Sequence, residues 1–229
     1  MNEKQIKIGL VHATMNSVQP ILEAFHKHAP SVALVNFMDE SLIYDLNKIG
    51  SITKEMSRRL LALASKAEDS GVDGILLTCS SFTPVVAEIS HLFEVPILSA
   101  DISMLEKAVE MGGRIGIIAT VPAAGPTTAG LLKGMAEAQH KFIETETVII
   151  PQAFEALQSG KREIHDVLIH QKAEELSLRC DVIIFAQFSM ARAFETLEVR
   201  TKPILTSPEI SVKSIIAEIE KREGLIVEY

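Results

Sequence analysis

Cys79 is the residue whose type and position most clearly suggest chemistry. It is followed by Ser80 and Ser81 and comes directly after the apolar run Gly74–Leu77. A cysteine that ends a buried strand and begins a helix is favoured as the thiolate, because unpaired N–H groups and the helix dipole stabilise negative charge. Such a group can accept a proton and return it, so Cys79 is a candidate general acid–base. The alternative is a buried structural thiol, since cysteine also packs as a small hydrophobe.

Gln187 occupies the matching place after a second apolar run, Val182–Phe185. A carboxamide carries no titratable proton at neutral pH, so Gln187 can bind or orient a substrate but cannot be a base. Hydroxyls and N–H groups near both positions are expected to hold a carboxylate while it gains enediolate character. The hydroxyl candidates are Ser80, Ser81, Thr120 and Ser189.

Polar residues also follow the first apolar run of the chain. His12 is a candidate acid–base group or substrate contact because imidazole titrates near neutral pH, although it can equally orient the turn. Asn16 is a candidate contact to a substrate carboxylate, or it caps the next helix together with Ser17. Cys180 precedes its strand and is expected to be structural. The other histidines are expected on the surface: His26, His28, His91, His140, His165 and His170.

Eight short apolar runs alternate with segments of helical spacing, which predicts an α/β fold with parallel strands and right-handed crossovers. The runs are rich in Ile and Val and apolar on both faces, as is typical of buried parallel strands. The predicted strands are 6–11, 32–37, 74–77, 96–98, 114–119, 147–150, 182–185 and 203–205, and the clearest predicted helices are 53–70, 102–111, 163–178 and 208–222.

The second half of the chain repeats the first. Three segments, 7–11, 73–77 and 96–98, reappear in the same order 107 or 108 residues later. This predicts two similar Rossmann-like domains, 1–98 with 208–229 and 99–207, each with a four-stranded parallel sheet. Related by a pseudo-twofold axis, the halves are expected to bring Cys79 and Gln187 to opposite sides of an active-site cleft between them.

Composition narrows the function classes. The chain has 229 residues, a net charge of −8 and 47% hydrophobic residues, which excludes a disordered chain and argues against a general nucleic-acid binder. It contains no Cys/His cluster with zinc spacing and no glycine-rich phosphate motif, so no metal and no cofactor are expected. The polar start MNEKQ is not a signal peptide, and no apolar run is long enough for a membrane span. A soluble, cytoplasmic globular protein without membrane or nucleic-acid partners is expected.

The run 74–81 (GILLTCSS), the repeated halves and the run 114–120 (RIGIIAT) resemble the aspartate/glutamate racemase superfamily. That superfamily includes hydantoin racemases, maleate isomerases and arylmalonate decarboxylases. The resemblance implies a cofactor-independent, homo-oligomeric enzyme that acts at the carbon next to a carboxylate of a small acid, with Cys79 as the catalytic residue. In the superfamily each half usually donates a cysteine, and Gln187 departs from this pattern at the second-face position.

The departure at Gln187 leaves three reactions open. A second titrating group such as His12 can keep racemisation, Cys79 alone can protonate one face during decarboxylation or isomerisation, or Cys79 can add to an activated double bond. The alternative from another class is a non-catalytic protein that binds small carboxylates and derives from a racemase. Few cations are expected in the pocket, which argues against a heavily anionic ligand; the possible exceptions are Lys161, Arg162 and Arg192.

Overall fold

The computed structural model describes residues 5–198 and 201–226, which form two four-stranded, all-parallel sheets joined through helices. The strands are β1 (Lys7–His12), β2 (Ala33–Met38), β3 (Gly74–Leu77), β4 (Ile97–Ser99), β5 (Gly113–Ala119), β6 (Ile143–Ile149), β7 (Val182–Phe185) and β8 (Ile204–Thr206). The helices are α1 (Val18–His28), α2 (Ser41–Ile49), α3 (Lys54–Asp69), α4 (Thr83–Ile89), α5 (Ile102–Met111), α6 (Ala124–Ala138), α7 (Pro151–Gln158), α8 (Arg162–Ser177), α9 (Ala191–Thr196) and α10 (Ser207–Ile226).

Internal contacts divide the chain into two units, which we call unit 1 (Met1–Ala100 with Pro208–Tyr229) and unit 2 (Asp101–Ser207). Helix α10 therefore belongs with the first sheet, although it follows the second sheet in the chain. A side chain added at Gly74 would lie within 3 Å of Ile219 of α10, so the glycine lets this helix approach β3 closely. Residues 1–4 and 227–229, at the ends of the predicted first domain, lie outside the described residues.

The two sheets have the same strand order and register, which confirms the predicted repeat. The first sheet is ordered β2-β1-β3-β4 and the second β6-β5-β7-β8. Ile8 pairs with Gly74 in unit 1, and Ile115 pairs with Val182 at the corresponding place in unit 2. Pairing continues one residue past each third strand, where Thr78 N donates to the Val11 carbonyl in unit 1 at 3.0 Å.

Strand β6 begins at Ile143, so the predicted start at Thr147 is wrong by four residues. It lies at the edge of its sheet, and the missed part carries glutamates that form ion pairs with arginines. Edge strands place charges on their exposed side, and an apolar run therefore marks only part of such a strand. The ion pairs are Arg114–Glu144 and Arg179–Glu146.

The helix predictions agree with the structure to within a few residues. The predicted helix 53–70 is α3, and its preceding residue Thr53 caps it by accepting a hydrogen bond from Met56 N at 3.3 Å. The predicted helix 102–111 coincides with α5, and the last helix extends from Ser207 to Ile226 rather than stopping at 222. None of the described helices combines the length and the apolarity needed to cross a membrane.

Candidate functional site

Cys79 lies in the turn between β3 and α4, at the carboxyl edge of the first sheet. The carboxyl ends of parallel strands share one edge of the sheet, and ligands of α/β proteins bind there. The Cys79 carbonyl accepts a hydrogen bond from Phe82 N at 3.0 Å and thereby closes a 3-10 turn over Ser80–Phe82. Cys79 is 7% exposed, forms no disulfide, and has the buried Ser80 and Ser81 directly after it.

His12 ends β1 and lies at the centre of a buried hydrogen-bonded group. It is fully buried, with Nδ1 2.7 Å from Thr78 Oγ1 and Nε2 2.9 Å from Asn36 Oδ1. Ser17 Oγ lies 2.9 Å from Thr78 Oγ1. The Ser17 hydroxyl also donates to the Thr14 carbonyl at 2.9 Å. With the Thr78 hydroxyl donating to Nδ1 and Nε2–H donating to Asn36, both ring nitrogens of His12 are hydrogen-bonded.

Burial lowers the pKa of His12, and the hydrogen bond to Asn36 only partly opposes this shift. The imidazole is therefore neutral at neutral pH, in agreement with a donating Nε2 and an accepting Nδ1. Both ring nitrogens are already bonded inside the protein. In this arrangement His12 braces the ends of β1, β2 and β3 and offers no nitrogen to a ligand.

Asn16 lies in the short 3-10 turn that follows β1. Its backbone N–H donates to Thr14 Oγ1 at 3.3 Å, so Thr14 caps this turn. The Nδ2 atom of Asn16 is buried and makes no hydrogen bond within the described residues. A buried amide donor without a partner is costly unless a ligand or water satisfies it. Ser17 makes no capping bond with its side chain, because its hydroxyl joins the group around His12.

Gln187 begins the corresponding turn in unit 2, and its carboxamide oxygen is held by the end of β5. Oε1 accepts hydrogen bonds from Thr120 N at 2.5 Å, Thr120 Oγ1 at 3.0 Å and Val121 N at 3.3 Å. The Gln187 carbonyl accepts from Met190 N at 3.0 Å, as Cys79 does from Phe82 N in unit 1. The half-buried side chain thus has a fixed oxygen, and its Nε2 makes no hydrogen bond within the described residues.

The other residues of unit 2 that the sequence singled out differ from one another in burial and hydrogen bonding. Thr120 is buried, and both its hydroxyl and its N–H are directed to Gln187. Ser189 is half-buried in the 3-10 turn Phe188–Met190, where it corresponds to Ser81. Cys180 is buried before β7, and burial raises its thiol pKa, which agrees with a structural role.

Unit 2 contains a buried polar cluster that includes His165, so the prediction that His165 lies on the surface is wrong. His165 is fully buried on α8, and its Nδ1 lies 2.8 Å from Asp166 Oδ1. Arg192 Nη1 lies 3.0 Å from the other oxygen of Asp166. Burial lowers the pKa of His165, and Asp166 opposes the shift. The sequence signal was available: His165 lies four residues before the buried Ile169, on the same helix face.

Each sheet therefore gathers its predicted site residues at its carboxyl edge. Unit 1 contributes His12, Asn16, Cys79, Ser80 and Ser81, and unit 2 contributes Thr120, Gln187 and Ser189. Among these residues Cys79 carries the one thiol, and it begins the 3-10 turn that follows β3. In the described part of the chain, no group of His, Cys, Asp and Glu side chains is arranged to hold a metal ion.

Comparisons with known proteins agree with this architecture. A family model described as Asp/Glu/hydantoin racemase matches residues 8–215. The chain is similar to glutamate racemase RacE1 from Bacillus anthracis (TM-score 0.72, 10% identity, 96% of this chain and 84% of that chain). It is also similar to the aspartate racemase of Picrophilus torridus (TM-score 0.71, 14% identity, 94% of both chains).

A third similar structure is the glutamate racemase of Francisella tularensis in complex with D-glutamate. Its TM-score is 0.72 at 13% identity, over 96% of this chain and 82% of that chain. At such identities the likeness concerns the fold. No curated protein sequence matches the chain.

Proposed function

Because the chain belongs to the Asp/Glu/hydantoin racemase family, an enzyme family of the racemase and isomerase class, we propose that it moves a proton at the carbon next to a carboxylate of a small acid. Cys79 is the catalytic residue, and the reaction uses no cofactor. The observation that carries the proposal is the position of Cys79, buried at the carboxyl edge of its sheet where a 3-10 turn begins. N–H groups at such a turn favour the thiolate that accepts the proton.

The substrate carboxylate needs hydrogen-bond donors as it gains enediolate character, because charge builds up on its oxygens. Ser80 and Ser81 lie directly after Cys79 in the same turn. Asn16 adds a buried Nδ2 that has no partner in the described part of the chain, which supports its assignment as a donor to the substrate. In unit 2, Ser189 has the position that corresponds to Ser81.

The side-chain amide of Gln187 is suited to donating hydrogen bonds to the substrate. Its oxygen is engaged by Thr120 and Val121, so the amide can present only N–H donors to a ligand. A donor held in place before the reaction stabilises developing negative charge without reorganisation. We therefore assign Gln187 to stabilising the enediolate.

The state of His12 supports proton transfer on one face only. Its nitrogens are bonded to Thr78 and Asn36 and its pKa is lowered by burial, so it is a poor replacement for a second cysteine. One-sided transfer fits an isomerase or a decarboxylase better than an efficient racemase. We also propose that the protein is a homo-oligomer. Light scattering in solution measures the molar mass that tests this.

The test incubates wild type and Cys79→Ser with a panel of small chiral carboxylic acids in deuterium oxide. Wild type is expected to incorporate deuterium at the α-carbon, or to release carbon dioxide from an activated diacid, with weak inversion. Cys79→Ser should lose about 100-fold or more of this activity, because a hydroxyl is a poor base at pH 7. Cys180→Ala, which removes the other cysteine, is the control and should retain activity.

Two results would contradict parts of this proposal. Full activity of Cys79→Ser would remove Cys79 from the mechanism. Efficient inversion of an acid by wild type would refute one-sided transfer. Tight binding of an acid without exchange, and with slow alkylation of Cys79, would instead identify a non-catalytic carboxylate-binding protein.

A further inference from the structure

The two units of this chain provide an internal comparison, because they share one fold but only unit 1 carries the cysteine. Because the strands of the two sheets pair in the same register, each residue at or just after a strand end of unit 1 has a counterpart in unit 2. The three buried polar residues around the end of β1 then correspond to three alanines of unit 2. His12 matches Ala119, Ser17 matches Ala124, and Thr78 matches Ala186.

All three alanines are buried, as are their polar counterparts. The same strand order, register and turn therefore form in unit 2 with methyl groups at these places. Burying an imidazole and two hydroxyls has a desolvation cost that methyl groups do not have, even when the polar groups are bonded to one another. The fold does not require the polar group, and its presence in the unit that carries Cys79 calls for another reason.

We propose that His12, acting through Thr78, is a positioning residue that holds the Cys79 turn in its reactive geometry. Thr78 directly precedes Cys79, and its backbone is already paired to β1 through Val11. The 2.7 Å bond from the Thr78 hydroxyl to His12 Nδ1 fixes its side chain as well. Successive residues of an extended chain point to opposite sides, so fixing Thr78 also fixes the direction of Cys79.

The links to Ser17 and Asn36 complete this brace. Ser17 ties Thr78 to the turn after β1, and Asn36 holds the imidazole from the neighbouring strand β2. With Nε2–H donating to Asn36, Nδ1 must accept, which orients the Thr78 hydroxyl. The inference rests on the proposed function in taking Cys79 as the reactive group, but its test requires only the thiol.

The experiment measures the rate of iodoacetamide alkylation of Cys79 against pH in a Cys180→Ala background. The midpoint of this profile reports how well the turn stabilises the thiolate, whereas the plateau reports access to the thiol. Thr78→Val should raise the midpoint by about one pH unit, a tenfold loss of thiolate below the midpoint. Thr78→Ser restores the hydroxyl and should return the midpoint to that of wild type.

Substitutions of His12 locate the nitrogen that matters. His12→Asn can place a side-chain oxygen near the Nδ1 position and accept from Thr78, so its midpoint should stay close to wild type. His12→Gln reaches the Nε2 position instead and should behave like Thr78→Val. Thr128→Val is the matched control, because Thr128 is a buried threonine of unit 2 whose hydroxyl makes no hydrogen bond within the described residues.

A purely structural brace predicts a different pattern. Loosening it would change the alkylation plateau and the melting temperature but leave the midpoint unchanged in every variant, and that result would overturn the proposal. If Thr78→Val does not fold, the contrast between His12→Asn and His12→Gln decides in the same way. A midpoint shift without exchange on any acid would refute the proposed function alone, whereas exchange with unchanged midpoints would refute this inference alone.

Discussion

Replacing Gln187 separates its structural task from its proposed catalytic one. Gln187→Glu keeps an oxygen at the position that receives Thr120 N, Thr120 Oγ1 and Val121 N, and a carboxylate accepts these bonds at least as well as an amide. It removes both N–H donors of Nε2 and adds a negative charge. Gln187→Met keeps the length of the side chain but can accept none of the three bonds.

The two variants should therefore differ in stability. Three hydrogen bonds end on one oxygen, and each contributes about 1 kcal/mol net in a typical protein. Gln187→Met should lower the free energy of unfolding by about 2–3 kcal/mol. Gln187→Glu should remain within about 1 kcal/mol of wild type, because the donors keep a partner.

The exchange activity should depend on Nε2, the amide nitrogen of Gln187. Both variants lose the N–H donors, so both should lose about 100-fold or more in exchange rate, the usual effect of removing one preorganised donor. Urea unfolding and deuterium exchange at the α-carbon, measured on the same preparations, give the two quantities. Gln139→Glu is the charge control, because Gln139 is exposed at the end of α6, before β6 and away from the carboxyl edge.

The prediction for Gln187 fails if Gln187→Glu exchanges the acid as fast as wild type, since the N–H donors would then be unused. It also fails if Gln187→Met is as stable as wild type, because the bonds to Thr120 and Val121 would then contribute nothing. A loss of activity in Gln139→Glu would show that charge alone explains the effect.

Two further predictions concern stability. Burial lowers the pKa of His12 and His165, so below about pH 6.5 the unfolded chain binds protons more readily than the folded chain. The free energy of unfolding should therefore fall as the pH drops below about 6.5. Each histidine should contribute about 1.4 kcal/mol per pH unit to this fall until its pKa in the folded protein is reached. Urea unfolding between pH 7.5 and 5.5 measures how the free energy of unfolding depends on pH. His165→Asn should remove the contribution of one histidine to this slope, and an unchanged slope would contradict the lowered pKa of His165. Thr128 lies where unit 1 has Ile21, and its buried hydroxyl has no partner among the described residues. Thr128→Val should therefore raise the free energy of unfolding by about 1 kcal/mol, and a lower melting temperature would contradict this.

The amino-acid sequence by itself determined the architecture of this protein. Parallel strands buried on both faces require continuous apolar runs, and helices between them require a 3.6-residue period, so both leave local patterns. The repeat at 107 or 108 residues and the position of Cys79 after β3 followed from those patterns. The start of β6 did not, because an edge strand exposes one side and carries Glu144 and Glu146 there.

Only the tertiary structure decided what the polar side chains do. His12 and Thr78 are 66 residues apart in the chain, and Gln187 lies 67 residues from Thr120, yet each pair is hydrogen-bonded. Sequence reasoning placed His12 and Gln187 at strand ends but could not show that the imidazole is enclosed or that the amide oxygen is held by the end of β5. Hydrogen bonds depend on angles and distances between atoms of different strands, and these arise only once the register of the sheet has brought the strand ends together.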